Sequence, residues 1–451
     1  MYTLTFKKFI RGKAAIGGLT FILVAGVISL AIGKRFLTQQ EAAIGQSANF
    51  QQKFIGNYAQ YIPNDMGLLL YYLRFSLANQ PGPLAGVSIG QRDVNPSVQS
   101  VTIRNLENQK WDTDLINPSN LLLGNMDLGF VMIYLFPLLI IAFTYNILSE
   151  EKEGGTWSLV RLHAALPVKV LWQKLIVRAI AVYAAAALLM ALAVVILSLP
   201  LDITFLALTL VLALYLMFWF GLSFWVVSRK KDSSFNAVSM LALWVLLTIL
   251  APALVNSYIN NAYPVPEALK TVVKQRQGYH EKWDMDKRVT MNKFYAHYPQ
   301  YQKYPLPDKP FSWLWYYAAH QMGDDESVQE SKELEGKLWK RHRVSSQIAI
   351  AFPPLHAQLA LNDLAQSDLQ NHLQFLDSTK RFHEKRRLFF YEKIFEDHPV
   401  NSVDWNSMRL EHFAATTDIK WLPMLLPLLL IGGVLFWAAQ RNFYKPESNE
   451  V

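Results

Sequence analysis

The chain has 451 residues, of which 52% are hydrophobic and only 17% charged, whereas roughly 25% of residues are charged in soluble domains. The hydrophobic residues collect in a few long windows, which indicates an integral membrane protein. The net charge of +8 lies largely beside these windows, so it favours a role in topology over nucleic-acid binding. The chain has no cysteine, which excludes disulfides, thiolate catalysis and cysteine-ligated metal or iron–sulfur sites.

Hydropathy predicts six membrane-spanning helices. The first follows a basic N-terminal stretch, as in a signal peptide, but it is as long as a full span and has no convincing cleavage site. We therefore interpret it as an uncleaved span. The six predicted spans are Ala14–Gly33, Leu128–Leu148, Leu175–Leu199, Ile203–Val227, Ala237–Tyr258 and Trp421–Gln440.

Basic residues predict the orientation of the spans, because short cytoplasmic loops are rich in Lys and Arg. Three basic segments fall on one side of the membrane, which we expect to be the cytoplasm: the N-terminal tail, the run Arg229–Lys231 and the tail that begins at Arg441. Both termini are then cytoplasmic, and the two long loops are extracytoplasmic (periplasmic, in a bacterial inner membrane).

This topology divides the chain into five parts. An N-terminal amphipathic segment with the first span is followed by a long loop, insertion 1, and then by spans two to five with a cytoplasmic segment at 149–174. A longer loop, insertion 2, precedes the last span and the tail. The five parts are residues 1–35, 36–127 (insertion 1), 128–258, 259–420 (insertion 2) and 421–451.

The insertions are predicted to be mainly helical, with a minor β content in insertion 1. In insertion 1, Gln39–Tyr58 continues the first span as a helix and Val98–Leu106 is β-like. In insertion 2, Pro266 begins one helix, the acids Asp324–Glu326 begin another at its positive end, and Pro354–Ile394 forms a third. The expected fold class is therefore a membrane all-α protein with an extracytoplasmic domain built from two insertions.

A charged block follows the second predicted span directly. It holds three carboxylates within four residues, then the pair Gly154 and Gly155, which allows a sharp turn. Thr156 is a good N-cap for a short helix at Trp157–His163, on which Leu159 and Leu162 face away from Trp157. The block is either a docking element on one membrane face or an ordinary solvated loop, and its residues alone favour neither.

The sequence lacks the motifs of several common activities. The chain contains no Gly-x-x-x-x-Gly-Lys-Ser/Thr phosphate loop and no His-Glu-x-x-His. No Asp, Glu, Lys or Arg lies in the middle of a predicted span, although ion-coupled transporters usually need such a group. A membrane-anchored enzyme is a poor hypothesis, because no acid, base and nucleophile stand together. Energy for any transport must come from a partner.

The charged block and its surroundings resemble the permease subunits of type-2 ABC transporters. The resemblance rests on Pro137-Leu-Leu-Ile-Ile141, on Glu151-Lys-Glu-Gly-Gly-Thr156 and on the later proline and lysine. In that family this segment is the coupling helix that docks on the ATPase, with Leu where this chain has Trp. The resemblance therefore implies an ATPase-coupling role for Glu150, Glu151, Glu153, Gly154, Gly155, Thr156, Trp157, Pro167 and Lys174.

A second resemblance is to a subgroup of these permeases that has large extracytoplasmic insertions and a domain of unknown function. It is carried by Ser97–Val101, Asn117-Pro118, Leu122–Gly124 and Asp127 in insertion 1, and by Pro353-Pro354, Leu364-Ala365, Asp368, His372, Phe375 and Leu376 in insertion 2.

Together the resemblances imply a non-catalytic permease, an exporter, with a cytoplasmic ABC ATPase that carries the ATP and Mg²⁺. They also imply two further partners, a second permease chain (identical or related) and membrane lipid. They imply no cofactor in this chain. The alternative is a subunit that moves no solute and transmits ATP-driven motion to an extracytoplasmic protein partner. The size of insertion 2 favours this alternative.

Other features have less specific interpretations. All histidines except His163 lie in insertion 2, where ordinary surface or packing roles are favoured over a metal site because none are closely paired. Core packing or a membrane-interface belt is favoured over substrate contact for the aromatic run Phe311–Tyr317. Small residues among aromatics at Phe218–Trp225 suit close helix packing, with a dimer seam as the functional alternative. Asp202 is expected to cap the fourth span, and Arg381–Arg387 to be a solvated helix face.

Overall fold

The computed structural model describes residues 2–110, 125–163, 167–264, 285–306, 308–415 and 418–445. These residues are mostly helical and include one three-stranded sheet. The helices are α1 Tyr2–Ile10, α2 Lys13–Tyr61, α3 Met66–Tyr72, α4 Leu106–Lys110, α5 Leu128–Glu153, α6 Trp157–His163, α7 Pro167–Leu197, α8 Ile203–Val227, α9 Ser233–Ala262, α10 Lys287–His297, α11 Trp313–Ala349, α12 Pro353–Leu364, α13 Leu369–Phe395 and α14 Trp421–Tyr444. The strands are β1 Phe75–Asn79, β2 Val98–Val101 and β3 Glu411–Phe413.

Six of these helices are long and apolar enough to cross a membrane, in agreement with the number predicted from the sequence. They are α2, α5, α7, α8, α9 and α14. Most extend beyond the predicted limits; the third begins at Pro167 rather than Leu175. Proline suits the first turn of a helix, because its missing N–H has no partner there.

Helix α2 is a single helix of 49 residues, about 74 Å long at 1.5 Å per residue. The hydrocarbon core of a bilayer is only about 30 Å thick. Its first half is apolar enough to span, and its second half extends outward into insertion 1, which confirms the predicted helical continuation over Gln39–Tyr58.

Helices α8 and α14 pack together over much of their length in the apolar bundle. A Cβ atom on Gly221 would lie 3.2 Å from the carbonyl oxygen of Gly432 and 3.2 Å from the ring of Phe436. Small residues thus let the two backbones approach. The predicted close packing around Gly221 is present within one chain. Asp202 caps α8 as expected, accepting hydrogen bonds from the backbone N–H groups of Thr204 and Phe205 at 3.0 Å each.

The apolar core of the bundle continues into insertion 2. Ala357, Leu361 and Leu364 of α12 are buried in the same cluster as the spanning helices, and α12 contacts α8, α9 and α14. His356 of α12 lies 2.9 Å from the carbonyl oxygen of Met424 in α14. Insertion 2 is therefore anchored directly on the bundle.

The predicted helix over Pro354–Ile394 is wrong in one respect, because two helices, α12 and α13, occupy this stretch. Gln366 adopts a positive φ of 53°, which ends α12. The carboxylate of Asp368 then accepts from the backbone N–H of Asn371 at 2.9 Å and begins α13. An N-cap side chain favours a new helix over the continuation of the old one.

A second apolar core takes buried residues from both insertions, between Ile55 and Met408. We call the part of the chain around this second core the insertion domain. Strand β1 pairs antiparallel with β2 from insertion 1 and parallel with β3 from insertion 2. The sheet therefore takes a strand from each insertion, whereas the sequence indicated β structure in the first alone. The predicted β-like stretch Val98–Leu106 is a strand only to Val101, and helix α4 begins at Leu106.

Two predictions within insertion 2 are wrong. Asp324–Glu326 lie in the middle of α11 and do not begin it, because Ser312 accepts from the N–H of Trp315 at 3.2 Å and starts the helix a dozen residues earlier. Arg381–Arg387 is not a uniformly solvated face, since Arg386 and Arg387 are buried. The helix predicted to begin at Pro266 lies outside the described residues.

The aromatic run Phe311–Tyr317 supplies the core of the insertion domain, as the packing interpretation predicted. Trp315, Tyr316 and Tyr317 are buried. The hydroxyl of Tyr317 donates to the carbonyl of Gly67 at 2.9 Å, which gives its polar end a partner across the two insertions.

Candidate functional site

The charged block forms a helix–turn–helix between α5 and α7. Ser149–Glu153 is the last turn of α5, and the chain then reverses through Gly154 and Gly155 into α6. Gly155 has a φ of +69°, a conformation that side-chain-bearing residues rarely adopt. The predicted glycine turn and short helix are both present. Residues 164–166 lie outside the described residues, and Pro167 begins α7.

Glu151 joins the block to α7. Its carboxylate accepts a hydrogen bond from Nζ of Lys174 at 2.5 Å, and both side chains are largely buried. The hydroxyl of Thr156 also donates to this carboxylate. Thr156 was expected to cap α6, but the structure engages its hydroxyl with Glu151 while its carbonyl accepts from the N–H of Val160.

Glu153 joins the block to the start of α9. Its carboxylate accepts from the backbone N–H of Ser233 at 2.8 Å and from the Ser233 hydroxyl at 3.0 Å. Ser149 lies 2.7 Å from the same hydroxyl. Nζ of Lys152 donates to the carbonyl of Lys230 at 3.3 Å, and Lys230 lies in the loop between α8 and α9. The end of α5 is thus fixed against the loop that joins α8 to α9.

Glu150 makes a weaker contact. Its carboxylate lies 3.8 Å from Nζ of Lys8 in α1, and the lysine side chain is 82% exposed. An exposed ion pair of this kind contributes little stability. Of the three acids, Glu150 is therefore the one with most freedom to meet another molecule.

The outward surface of the block consists of α6 and the turn before it. Leu159 is 57% and Leu162 80% exposed, while Trp157 packs partly buried against the bundle core. Gly155, Thr156 and Arg161 are also exposed. Two exposed leucines on a helix of seven residues are an unusual choice for a purely solvated loop. We call this surface, formed by Gly155, Thr156, Leu159, Arg161 and Leu162, the tip surface.

The structure therefore brings the sequence-predicted residues together, but some of them bind other parts of the chain and others are exposed. Glu151, Glu153 and Lys174 hold the block in place, Trp157 packs inward, and the tip surface faces out. Sequence reasoning missed Ser233 as a partner of Glu153. Only the placement of Ser233 after Asp232, which caps α9, was visible in the sequence as a helix start.

The histidines that the structure describes in insertion 2 form no metal centre. Within the described ranges, no group of three or more His, Asp or Glu side chains is placed to hold a metal ion. His372 and His383 are both on α13. Burial lowers the pKa of His372 to about 4 and that of His383 well below its usual range. Both imidazoles are therefore neutral groups of the domain interior.

Fold and composition together define a mostly helical, multi-pass membrane protein with a folded insertion domain. Residues 269–414, about a third of the chain, match the family described as "Domain of unknown function (DUF3526)". The matched residues cover most of insertion 2, and the description of the family states no activity. Comparison with curated proteins finds no match, and comparison with solved structures finds none either.

Proposed function

We propose that this chain is the membrane-spanning, non-catalytic subunit of a type-2 ABC exporter in a bacterial inner membrane. Both termini and the charged block lie in the cytoplasm in this proposal, and the insertion domain lies in the periplasm. An even number of spanning helices supports termini on one side. ATP and Mg²⁺ belong to a separate ATPase, because the chain has no phosphate-binding loop.

The proposal depends on one observation: the exposed tip surface belongs to a segment that is bound to two other helices of the bundle. Leu159 and Leu162 are exposed, while Glu151 and Glu153 connect the block to α7 and to the start of α9. A partner that pushes on the tip surface would therefore move α5, α7 and α9 together. A loop whose acids were merely solvated would lack this connection.

A second copy of the permease, identical or related, completes the proposed assembly. Helix α9 is the least enclosed of the six candidate spans, with only 17% of its most apolar window buried. Val238 and Leu254 are each 67% exposed on it. Its outward face is available to lipid or to a second chain.

The test is retention of an ATP-hydrolysing partner on the chain purified from its own host's membranes. We expect Leu159→Asp/Leu162→Asp to remove most of the co-purifying ATPase activity without lowering the amount of folded chain. Tyr61→Asp is the matched control, since Tyr61 is also a highly exposed apolar residue but belongs to insertion 1. If wild type, the double variant and Tyr61→Asp retained equal ATPase activity, the docking role of the tip surface would be overturned.

The alternative, transmission of motion to an extracytoplasmic protein partner, has its own supporting observations. Helix α2 continues without interruption from the bundle into the insertion domain, and buried apolar residues of α12 belong to the core of the bundle. Motion of the bundle would therefore reach the insertion domain directly. Reconstitution of the chain with its ATPase separates the two functions: vectorial movement of a solute without any extracytoplasmic protein supports export, and its absence supports transmission.

A further inference from the structure

A cavity of about 600 Å³ lies where the insertion domain meets the bundle. Its walls come from α9, α11, α12 and the starts of α13 and α14. Ile259 lies near the last residue of α9, and Met424 lies near the first residue of α14. The cavity is therefore at the level where two candidate spans end, the level of lipid headgroups.

One wall carries a basic run that sequence analysis passed over, Lys337-Leu-Trp-Lys-Arg-His-Arg343. The run is held beside the end of α9 by two contacts. Nζ of Lys340 lies 5.0 Å from the ring centre of Tyr263, and the guanidinium of Arg341 donates to the side chain of Asn260. Arg341 and Arg343 line the cavity.

The charges around the cavity favour an anion. Lys420, just before α14, joins Arg341 and Arg343 in the lining, and within the described ranges neither Lys420 nor Arg343 makes an ion pair. Two carboxylates also line it, Asp363 and Asp368. Three cations therefore line the cavity with two carboxylates, so the charge of these side chains together is positive.

The other lining is apolar. Leu359 and Ile350 contribute aliphatic side chains, and Ile350 is 44% exposed, while Ile259 and Met424 are largely buried in the wall. Trp339, in the basic run, is 37% exposed. Basic and tryptophan side chains beside the ends of spans are typical of contact with the headgroup region. The cavity thus presents cations to one end of a ligand and hydrocarbon to the other.

We propose that this cavity binds an anionic phospholipid of the surrounding membrane. The lipid phosphate meets Arg341, Arg343 and Lys420, and an acyl chain lies against Leu359 and Ile350. The inference requires α9 and α14 to span the membrane. It does not depend on an ATPase, so its failure and that of the proposed function are distinguishable.

The test uses the full chain in nanodiscs of phosphatidylethanolamine with increasing phosphatidylglycerol, followed by native mass spectrometry of retained lipid. We expect the wild-type chain to retain phosphatidylglycerol selectively. Each basic side chain near a membrane surface contributes about 1 kcal/mol to anionic-lipid binding. Arg343→Gln/Lys420→Gln should therefore raise the half-saturating phosphatidylglycerol fraction by about 10- to 30-fold.

The matched control is Lys380→Gln/Arg409→Gln, which removes the same charge from exposed positions of the insertion domain outside the cavity lining; it should stay within about twofold of wild type. If the double variant fails to fold, Lys420→Gln alone, at an exposed position, should give about a fivefold loss. Three results would overturn the proposal: equal retention by variant and wild type, equal retention of phosphatidylethanolamine, or displacement of the lipid by glycerol phosphate, which would indicate a site for free phosphate.

Discussion

Arg387 Nη2 lies 2.7 Å from Asp324 Oδ2, and both side chains are almost completely buried where insertions 1 and 2 meet. The guanidinium also donates to the carbonyl of Arg104 at 2.6 Å. The carboxylate accepts from the backbone N–H of Leu106 at 2.8 Å. One ion pair thus connects α11 and α13 of insertion 2 to the start of α4 and the residues just before it in insertion 1.

We expect Arg387→Met to lower the free energy of unfolding of the insertion domain by about 3–5 kcal/mol, because it leaves Asp324 buried without a counter-charge. Thermal unfolding of the full chain in detergent, followed by limited proteolysis of the insertion domain, measures the change. Arg387→Met/Asp324→Leu should recover part of the loss, since it removes the uncompensated charge.

Arg381→Ala is the control for this pair. Arg381 pairs with Asp377 on the same helix, but these side chains are 68% and 58% exposed, so its loss should cost less than about 1 kcal/mol. A similar loss for Arg381→Ala and Arg387→Met would show that the buried pair has no special role in joining the insertions.

The same pair shows where sequence reasoning succeeded and failed. The six spans and the outward continuation of α2 were predictable, because apolar windows and helix periodicity are local properties of the chain. The burial of Arg387 was not, since its partner is 63 residues away. A run of Arg and Lys on a helix is normally solvated, and only the tertiary structure places one of these side chains beside a buried carboxylate.

The charged block follows the same division. Its turn was predictable because Gly155 requires no partner to adopt a positive φ. The anchoring of Glu153 was not, because Ser233 is 80 residues away. The resemblance implies a coupling role for these acids, and in the structure Glu151 and Glu153 bind Lys174 and Ser233 within the chain while Leu159 and Leu162 are exposed.

A glycine contact between α2 and insertion 1 gives the second prediction. A Cβ atom on Gly33 would clash with the carbonyl oxygen of Gly86, which is backbone and cannot rotate away. Gly33→Ala should therefore cost about 1–3 kcal/mol, as other overpacked sites do. Differential scanning fluorimetry in detergent should show a lower melting temperature.

Gly45→Ala on the same helix is the matched control. A Cβ atom there meets nothing within 4 Å, so alanine should stabilise the helix by about 0.5–1 kcal/mol. If both alanine variants shifted the melting temperature in the same direction, the close approach of Gly33 to Gly86 would not be a determinant of stability.

Topology gives the third prediction, and the absence of cysteine makes single-cysteine labelling clean. Ser234 and Ser402 are exposed and lie on opposite sides of the bundle in the proposed topology. Ser331, by contrast, is buried and donates to Glu107 at 2.6 Å, so it is unsuitable. A membrane-impermeant maleimide should label Ser402→Cys in intact spheroplasts and Ser234→Cys only after permeabilisation. Labelling of both from the same side would contradict the six-span topology.

The fourth prediction is a pH dependence of insertion-domain stability that arises from His372. Burial lowers the pKa of His372 to about 4, whereas the pKa of a histidine in an unfolded chain is about 6.5. Between these values the unfolded chain binds a proton that the folded chain does not. The contribution of His372 to stability is therefore fully present above about pH 6.5 and is lost as the pH falls towards 4, by at most about 3 kcal/mol.

The measurement compares denaturant unfolding of wild type and His372→Asn from pH 7.5 to 4.5. Burial raises the pKa of Asp368, one turn before His372, and this shift changes stability in the opposite direction, so only the difference between the two proteins isolates the histidine. We expect the stability of wild type relative to the variant to decrease as the pH falls, because only wild type has the histidine that protonates in the unfolded chain. His412→Asn, at an exposed position, should leave the slope unchanged. A difference that stays constant across this range would show that His372 does not remain neutral in the folded domain.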